Sequence, residues 1–405
     1  MRLGVPERAK DGRIGADGVP VWQARNGGYR NPAGGRRWPD TALRKISFMA
    51  TAARQPHPIG ANPEAEKLIS YPAFDWLRFV LASVVVLVHE DILFPGPIDG
   101  ELAVDVFFAL SGWLIGGILL RTDRREMPRF FFNRATRIWI PYAVAITVLY
   151  GFAAIYEGVS AYWAKYLFYD ATFTHQLFTR FPQASTEMPL RGSGNQFWSI
   201  SVEEQFYLLA PALMMLVPWG KRLMPWVLLA ATAFWFKILG APIVLGVIAA
   251  ILQRDYGDWH ARGLGRLLVL ALTLAVFAVL FLYPQWFLMR GLFSVGVVLS
   301  LAMPGIRRPL PVFLGGISFP LYLNHWIGAF VAHGVMRHAI PLPEAVLPLL
   351  AYPASLVIGA AAYLTVDRRV LMRRQTWFTP RLGKALGVAA YMLVSVGVVG
   401  GMAIG

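Results

Sequence analysis

Cysteine is absent from all 405 residues, which excludes a disulfide framework, thiolate zinc sites, iron–sulfur clusters and a Cys nucleophile. Charge is scarce as well: 15% of residues are Asp, Glu, Lys or Arg, against about 25% in soluble globular proteins. No GxxxxGK[ST] loop, HExxH, GxSxG or credible dinucleotide fingerprint occurs, so ATP-driven transport and metallopeptidase chemistry have no support. What is present is apolar. Hydrophobic residues make up 56% of the chain, the composition of a protein embedded in a bilayer.

The net charge of +15 is unevenly placed, because residues 1–70 hold 12 basic and 6 acidic side chains. This stretch is rich in Gly, Pro and Arg (NGGYRNPAGGRRWPD) and has no sustained apolar period. We read it as a flexible basic cytoplasmic tail. Attraction to anionic lipid headgroups accounts for its charge, and no folded basic motif points to nucleic acid. It lacks the apolar core of about 7–15 residues that marks a signal peptide, so it is expected to remain on the chain, with Met49 as an alternative start.

Beyond Tyr71 the apolar segments are long enough to cross a hydrocarbon core of about 30 Å. Eleven are expected, near 71–90, 102–120, 138–155, 197–217, 223–238, 241–253, 267–283, 286–303, 312–333, 346–366 and 385–404. The expected fold is therefore all-α, a polytopic bundle of about ten core transmembrane helices plus an extra C-terminal one. A membrane domain covers 71–370, followed over 371–405 by a basic cytoplasmic linker and the last helix. Arginines collect at 121–137, whereas 91–101 has no basic residue, which sets the N-terminus inside and the 156–196 loop outside. Arg outnumbers Lys by 31 to 7, as in a GC-rich bacterial genome. The expected location is a bacterial inner membrane.

Ionisable residues inside spans cost several kcal/mol and are functional candidates. Arg78 and His89 lie eleven positions apart in the first span, about three turns, which places them on nearly one helix face roughly 16 Å apart along the axis. A snorkelling Arg with an interfacial His fits the same spacing. The second span opens DVFFALSGWL, with Asp105 near its outer end and the small pair Ser111-Gly112 deeper, suited to close approach of a helix or ligand. Arg134 and Arg137 stand one turn apart in RATRIWIP, where two guanidinium groups suit bidentate phosphate binding or plain positive-inside anchoring. In NQFWSISVEEQFYLLAP, Ser199, Glu203 and Tyr207 follow i, i+4, i+8 spacing along one face. ISFPLYLNH places Tyr322 and His325 at i, i+3, with a structural histidine as the simpler alternative.

Taken in order, these segments resemble one family, the multi-span membrane acyltransferases called acyltransferase family 3. Arg78 and His89 look like its first-helix Arg-x10-His signature, and the four later motifs follow over roughly 74–367. The resemblance implies an O-acyltransferase that takes an acyl group, commonly acetyl, from cytoplasmic acetyl-CoA or another acyl-CoA. The implied acceptor is a hydroxyl of a sugar or envelope glycan on the outer side. By matching position His89 would be the catalytic histidine, Arg78 its motif partner, and Arg134 and Arg137 the residues meeting the CoA phosphates. Ser111, Trp198, Glu203, Tyr322 and His325 match further motif positions. Two departures stand out: Pro320 lies inside the ninth-span motif, and Val366-Asp367-Arg368-Arg369 replaces the family's Val-Glu-Arg-Pro-like element.

The chemistry agrees with this reading. An alcohol is a poor nucleophile at neutral pH, and a histidine can take its proton as it attacks a thioester. Direct transfer with His89 as base is expected, with Glu203 or Asp105 orienting it or binding acceptor hydroxyls; a transient acyl-His89 is the variant mechanism. No metal is expected. The rivals are a proton-coupled transporter or flippase using the same polar interior, and a non-catalytic envelope scaffold. The aromatic run AYWAKYLFYD in the 156–196 loop is the place expected for acceptor contacts, with an interfacial aromatic belt as the alternative.

Overall fold

The computed structural model describes residues 70–404, apart from 93, 180, 339–342, 344 and 345. Residues 1–69 of the expected tail lie outside the described residues. All regular structure among the described residues is helical. The helices are α1 (Ala73–His89), α2 (Gly100–Arg121), α3 (Met127–Tyr156), α4 (Ala161–Ala171), α5 (Phe197–Leu216), α6 (Leu223–Trp235), α7 (Ala241–Tyr256), α8 (Gly263–Leu282), α9 (Phe287–Leu301), α10 (Pro309–His338), α11 (Leu347–Ala362), α12 (Arg368–Trp377) and α13 (Pro380–Ile404).

A helix coincides with each of the eleven expected segments. Five continuous helical stretches are long and apolar enough to cross a bilayer: Gly100–Arg121, Arg124–Tyr156, Gly263–Leu282, Leu347–Trp377 and Pro380–Ile404. Leu223–Trp235 and Phe287–Leu301 are apolar but shorter. The lipid-facing character is clearest in α8, where Leu264, Leu267, Leu268, Leu272 and Leu274 are all exposed. Such a face has no place in water.

Local signals set the helix boundaries. Asp99 caps α2, its carboxylate accepting from Leu102 N at 2.6 Å, and Ser160 caps α4 by accepting from Trp163 N at 3.0 Å. Between α2 and α3 a capping box joins Asp123 and Glu126, and Pro128 follows in the first turn of α3, where its missing N–H costs nothing.

Packing depends on small residues. A methyl on Gly112 of α2 would lie 1.9 Å from Ile243 O of α7, and one on Gly246 of α7 would lie 2.1 Å from Ala109 O of α2. The two backbones therefore touch, as expected for the Ser111-Gly112 pair. α10 is gripped on both sides, by α1 and by α11, and its Leu321 meets Gly359 of α11 with the same intimacy. The final helix α13 lays Gly383, Gly387, Gly397 and Gly401 against the bundle, with Gly383 facing Pro128 O of α3 and Gly397 facing Thr172.

The 156–196 segment is more ordered than an outer loop. AYWAKYLFYD forms α4, and Tyr166 and Tyr169 are fully buried in the core. Among the aromatic residues of this run, only Tyr162 is largely exposed. The run is thus mostly packing rather than an interfacial belt, because a helical turn directs every third or fourth aromatic inward.

Candidate functional site

The site is built on five helices: α1, α2, α3, α5 and α10. At one end of α1, His89 is exposed and its ring centroid lies 5.0 Å from that of His325 on α10. His325 is buried, with Nδ1 2.9 Å from Tyr322 O. A carbonyl oxygen only accepts, so Nδ1 carries the proton and Nε2 is the acceptor of that ring. Ser355 of α11 donates to His325 O at 2.9 Å and anchors the same turn of α10.

Tyr322 joins this turn to α5. Its hydroxyl donates to Gln196 O at 2.9 Å and lies 2.7 Å from Ser199 Oγ. The face expected from i, i+4, i+8 spacing is present, since Tyr207 donates to Glu203 Oε2 at 3.0 Å one turn below. Ser111 of α2 donates to the other oxygen, Glu203 Oε1. Glu203 is therefore held by two hydroxyls. Trp198 packs edge-on to Phe108 with ring centroids 5.8 Å apart, at the same junction of α2 and α5.

The other end is basic. Arg134 lies over the Tyr207 ring, 4.9 Å from its centroid, and so faces the Glu203 network. Arg137, one turn further along α3, is exposed and within electrostatic range of Arg134, Arg78 and Arg374. Arg78 pairs with Asp75 one turn before it, and Arg307 approaches the second Asp75 oxygen at 3.9 Å. Arg78 and His89 thus mark opposite ends of one helix rather than a contacting pair.

Glu203 and Asp105 were expected either to orient His89 or to bind acceptor hydroxyls; the structure gives each of them partners other than His89. Asp105 accepts from Arg290 Nε at 3.0 Å, and Arg290, 4% exposed, also holds Asp99 at 3.0 Å and approaches Glu101 at 3.7 Å. The reason is a cation from α9 that spacing within α2 does not reveal. A buried guanidinium with three acidic neighbours ties α2 to α9.

Three groups received no role from sequence, although Glu204 stands beside Glu203 as one of two adjacent carboxylates in the span. Glu204 is buried and accepts from Trp139 Nε1 at 2.9 Å, in a crevice also lined by Arg134 and Tyr207 and covered by Leu386 and Ala390 of α13. Asp170 and His175 form a fully buried pair at 2.7 Å, completed by Tyr150 at 2.5 Å and Asn195 at 3.3 Å. Arg374 donates to Asn133 O at 3.2 Å. Nothing in the basic run at 368–384 separates Arg374 from its neighbours. Asp170 and His175 stand five apart across a helix end, a spacing with no periodic signature. No cluster of three or more metal-ligating side chains occurs among the described residues.

Comparison with known proteins places the chain among acyltransferases. The chain is 27% identical over 199 residues to the peptidoglycan O-acetyltransferase OatA of Listeria monocytogenes, covering 42% of this chain and 29% of that protein. It is 23% identical over 328 residues to a putative O-acetyltransferase of Staphylococcus aureus strain COL, covering 64% of this chain and 51% of the relative. The O-acetyltransferase OatA of Staphylococcus aureus strain NCTC 8325 shares 29% identity over 151 residues, covering 35% of this chain and 24% of that protein. The chain thus spans about half or less of the length of these curated relatives. No solved structure matches. The sequence profile of an acyltransferase domain matches residues 71–366, nearly the whole region that holds the paired histidines and the arginines, and the chain belongs to that family, acyltransferase family 3.

Proposed function

We propose that the protein is an integral membrane O-acetyltransferase, multi-pass in a bacterial inner membrane with its N-terminus in the cytoplasm and all eleven expected segments spanning. It moves acetyl from cytoplasmic acetyl-CoA to a hydroxyl of an envelope glycan on the outer side. The observation that carries this reading is the polarity of α1, with the exposed His89 against His325 at one end and Arg78 within range of Arg137 at the other. Eleven residues of helix separate the two ends by roughly 16 Å, a distance that an extended pantetheine arm covers. Phosphates held at the arginines then present the thioester near His89.

In the reaction the acceptor oxygen attacks the thioester carbonyl carbon as His89 removes the hydroxyl proton. The acyl C–O bond forms and the C–S bond breaks. The proton passes from His89 to the departing sulfur, leaving an ester and free CoA. His325, locked by Tyr322 O, orients the His89 ring and shares its positive charge. The Ser111–Glu203–Tyr207 set lies between the two ends and places a carboxylate beside Arg134.

The test is thiol release from acetyl-CoA by purified protein in lipid vesicles, with and without an envelope-glycan extract. The name of the Listeria relative makes peptidoglycan fragments the first defined acceptor to try. Release that needs both wild-type protein and acceptor supports the proposal. Failure to bind or turn over acetyl-CoA with any such acceptor overturns it, and solute uptake by the same vesicles without donor would favour a carrier.

A further inference from the structure

We propose that Arg374 of α12 is a phosphate-binding residue that completes, with Arg78, Arg134 and Arg137, a four-guanidinium cradle for the phosphate-rich end of the acyl donor. The inference rests on the donor reading above and adds a residue outside the matched segment 71–366. It begins with connectivity. Arg374 Nη1 donates to Asn133 O at 3.2 Å, the carbonyl immediately before Arg134 and one turn before Arg137. A second bond, from Arg129 to Gln375 Oε1 at 2.9 Å, holds α12 to the start of α3. Arg374 is within electrostatic range of both Arg134 and Arg137.

Such a cluster is unfavourable by itself. Like charges close together repel, and a guanidinium withdrawn from water needs its donors satisfied. Here the donors are not satisfied: Arg78 Nε and Arg374 Nε are both buried without a hydrogen-bond partner. The carboxylates near the cluster are Asp75, paired with Arg78, the buried Asp367, within range of Arg137, and Glu203 and Glu204, within range of Arg134. Glu203 and Glu204 are already engaged by Ser111, Tyr207 and Trp139, and the unpaired N–H groups of Arg78 and Arg374 stay open to a multiply charged phosphate.

The backbone also favours this reading. α11 and α12 are joined by a π-helical turn, Tyr363–Asp367. One such wide turn shifts the register of everything after it and recurs at functional sites. In this chain it is followed by the helix that carries Arg374 to Asn133.

The experiment compares wild type, Arg374→Gln and Arg374→Lys in vesicles, using acetyl-CoA and acetyl-pantetheine, which lacks the nucleotide phosphates. The expected result for Arg374→Gln is a rise of 10-fold or more in KM for acetyl-CoA with kcat within about 3-fold. The ratio of kcat/KM for acetyl-CoA to that for acetyl-pantetheine should fall by a similar factor. Arg374→Lys keeps charge without the planar fork and should fall between. Adenosine 3′,5′-bisphosphate should inhibit wild type more strongly than Arg374→Gln. An unchanged ratio, or equal loss with both donors, overturns the role of Arg374 while leaving the donor reading intact. Wild type unable to use acetyl-CoA overturns the donor reading itself.

Discussion

The rings of His89 and His325 lie 5.0 Å apart, centroid to centroid, although 236 positions separate them in the chain. One ring is exposed and the other is buried with its Nδ1 proton committed to Tyr322 O. On the proposed mechanism the pair would divide labour, with His89 open to substrate and His325 supplying orientation.

Replacing His89 by Ala should lower kcat by about 10²–10⁴-fold, the usual contribution of a general base. Membrane insertion and the thermal midpoint should hardly move, since the side chain is exposed. Thiol release and a melting curve in detergent together check this. Normal turnover by the variant would remove His89 from the chemistry.

His325→Asn can retain a donor toward Tyr322 O and removes the ring that lies 5.0 Å from that of His89. Loss of a ring contact worth roughly 0.5–1.5 kcal/mol corresponds to a fall of about 2- to 10-fold in kcat. KM for acetyl-CoA should stay near wild type. An equal change in both constants would point to disturbed packing of α10 instead.

Arg134→Lys should weaken donor use while preserving charge, because lysine lacks the planar fork that matches phosphate oxygens. The expected rise in KM for acetyl-CoA is about 10-fold. A variant indistinguishable from wild type would assign Arg134 to anchoring against Tyr207.

Arg290→Ala leaves Asp105 and Asp99 without their cation. Breaking a buried ion pair costs about 3–5 kcal/mol, and the lower end applies because Asp99 and Glu101 stay in contact with water. Adding Asp105→Asn should recover part of the loss by removing an unpaired charge. Melting midpoints of the two single variants and the double variant measure the coupling. Strict additivity would show that the two groups do not act together.

Gly112→Val should force α2 and α7 apart, since even a methyl there meets Ile243 O at 1.9 Å. The cost is at least the 1–3 kcal/mol or so typical of overpacking. Reduced yield of folded protein and a lowered midpoint are the readouts, with Gly117, which has open space around it, as the tolerant control.

Much of the site's internal alignment was legible in advance. The bond from Tyr207 to Glu203 and the end-to-end placement of Arg78 and His89 are properties of single helices, and helical periodicity alone predicts them. Gly112 was legible for a similar reason, since a small residue in an apolar span marks a close approach. Asp105 was not. Its partner Arg290 lies 185 residues away, and a carboxylate in a span looks the same whether it orients a catalytic group or ties two helices together. The aromatic run in α4 was misleading because hydrophobicity does not distinguish a lipid interface from the protein core.

The sequence by itself determined that this chain lives in a bilayer, roughly where its helices lie, and which family it joins. Those features follow from residue type and from spacing within one helix, both of which are local. Only the tertiary structure decided that His325 lies beside His89, that Glu203 is shared by Ser111 and Tyr207, and that Arg374 reaches the turn before Arg137. These are contacts between helices remote in the chain. They arise from which faces pack together, and in a membrane that choice rests on close fit and on pairing polar groups, because lipid tails accept any apolar face equally well.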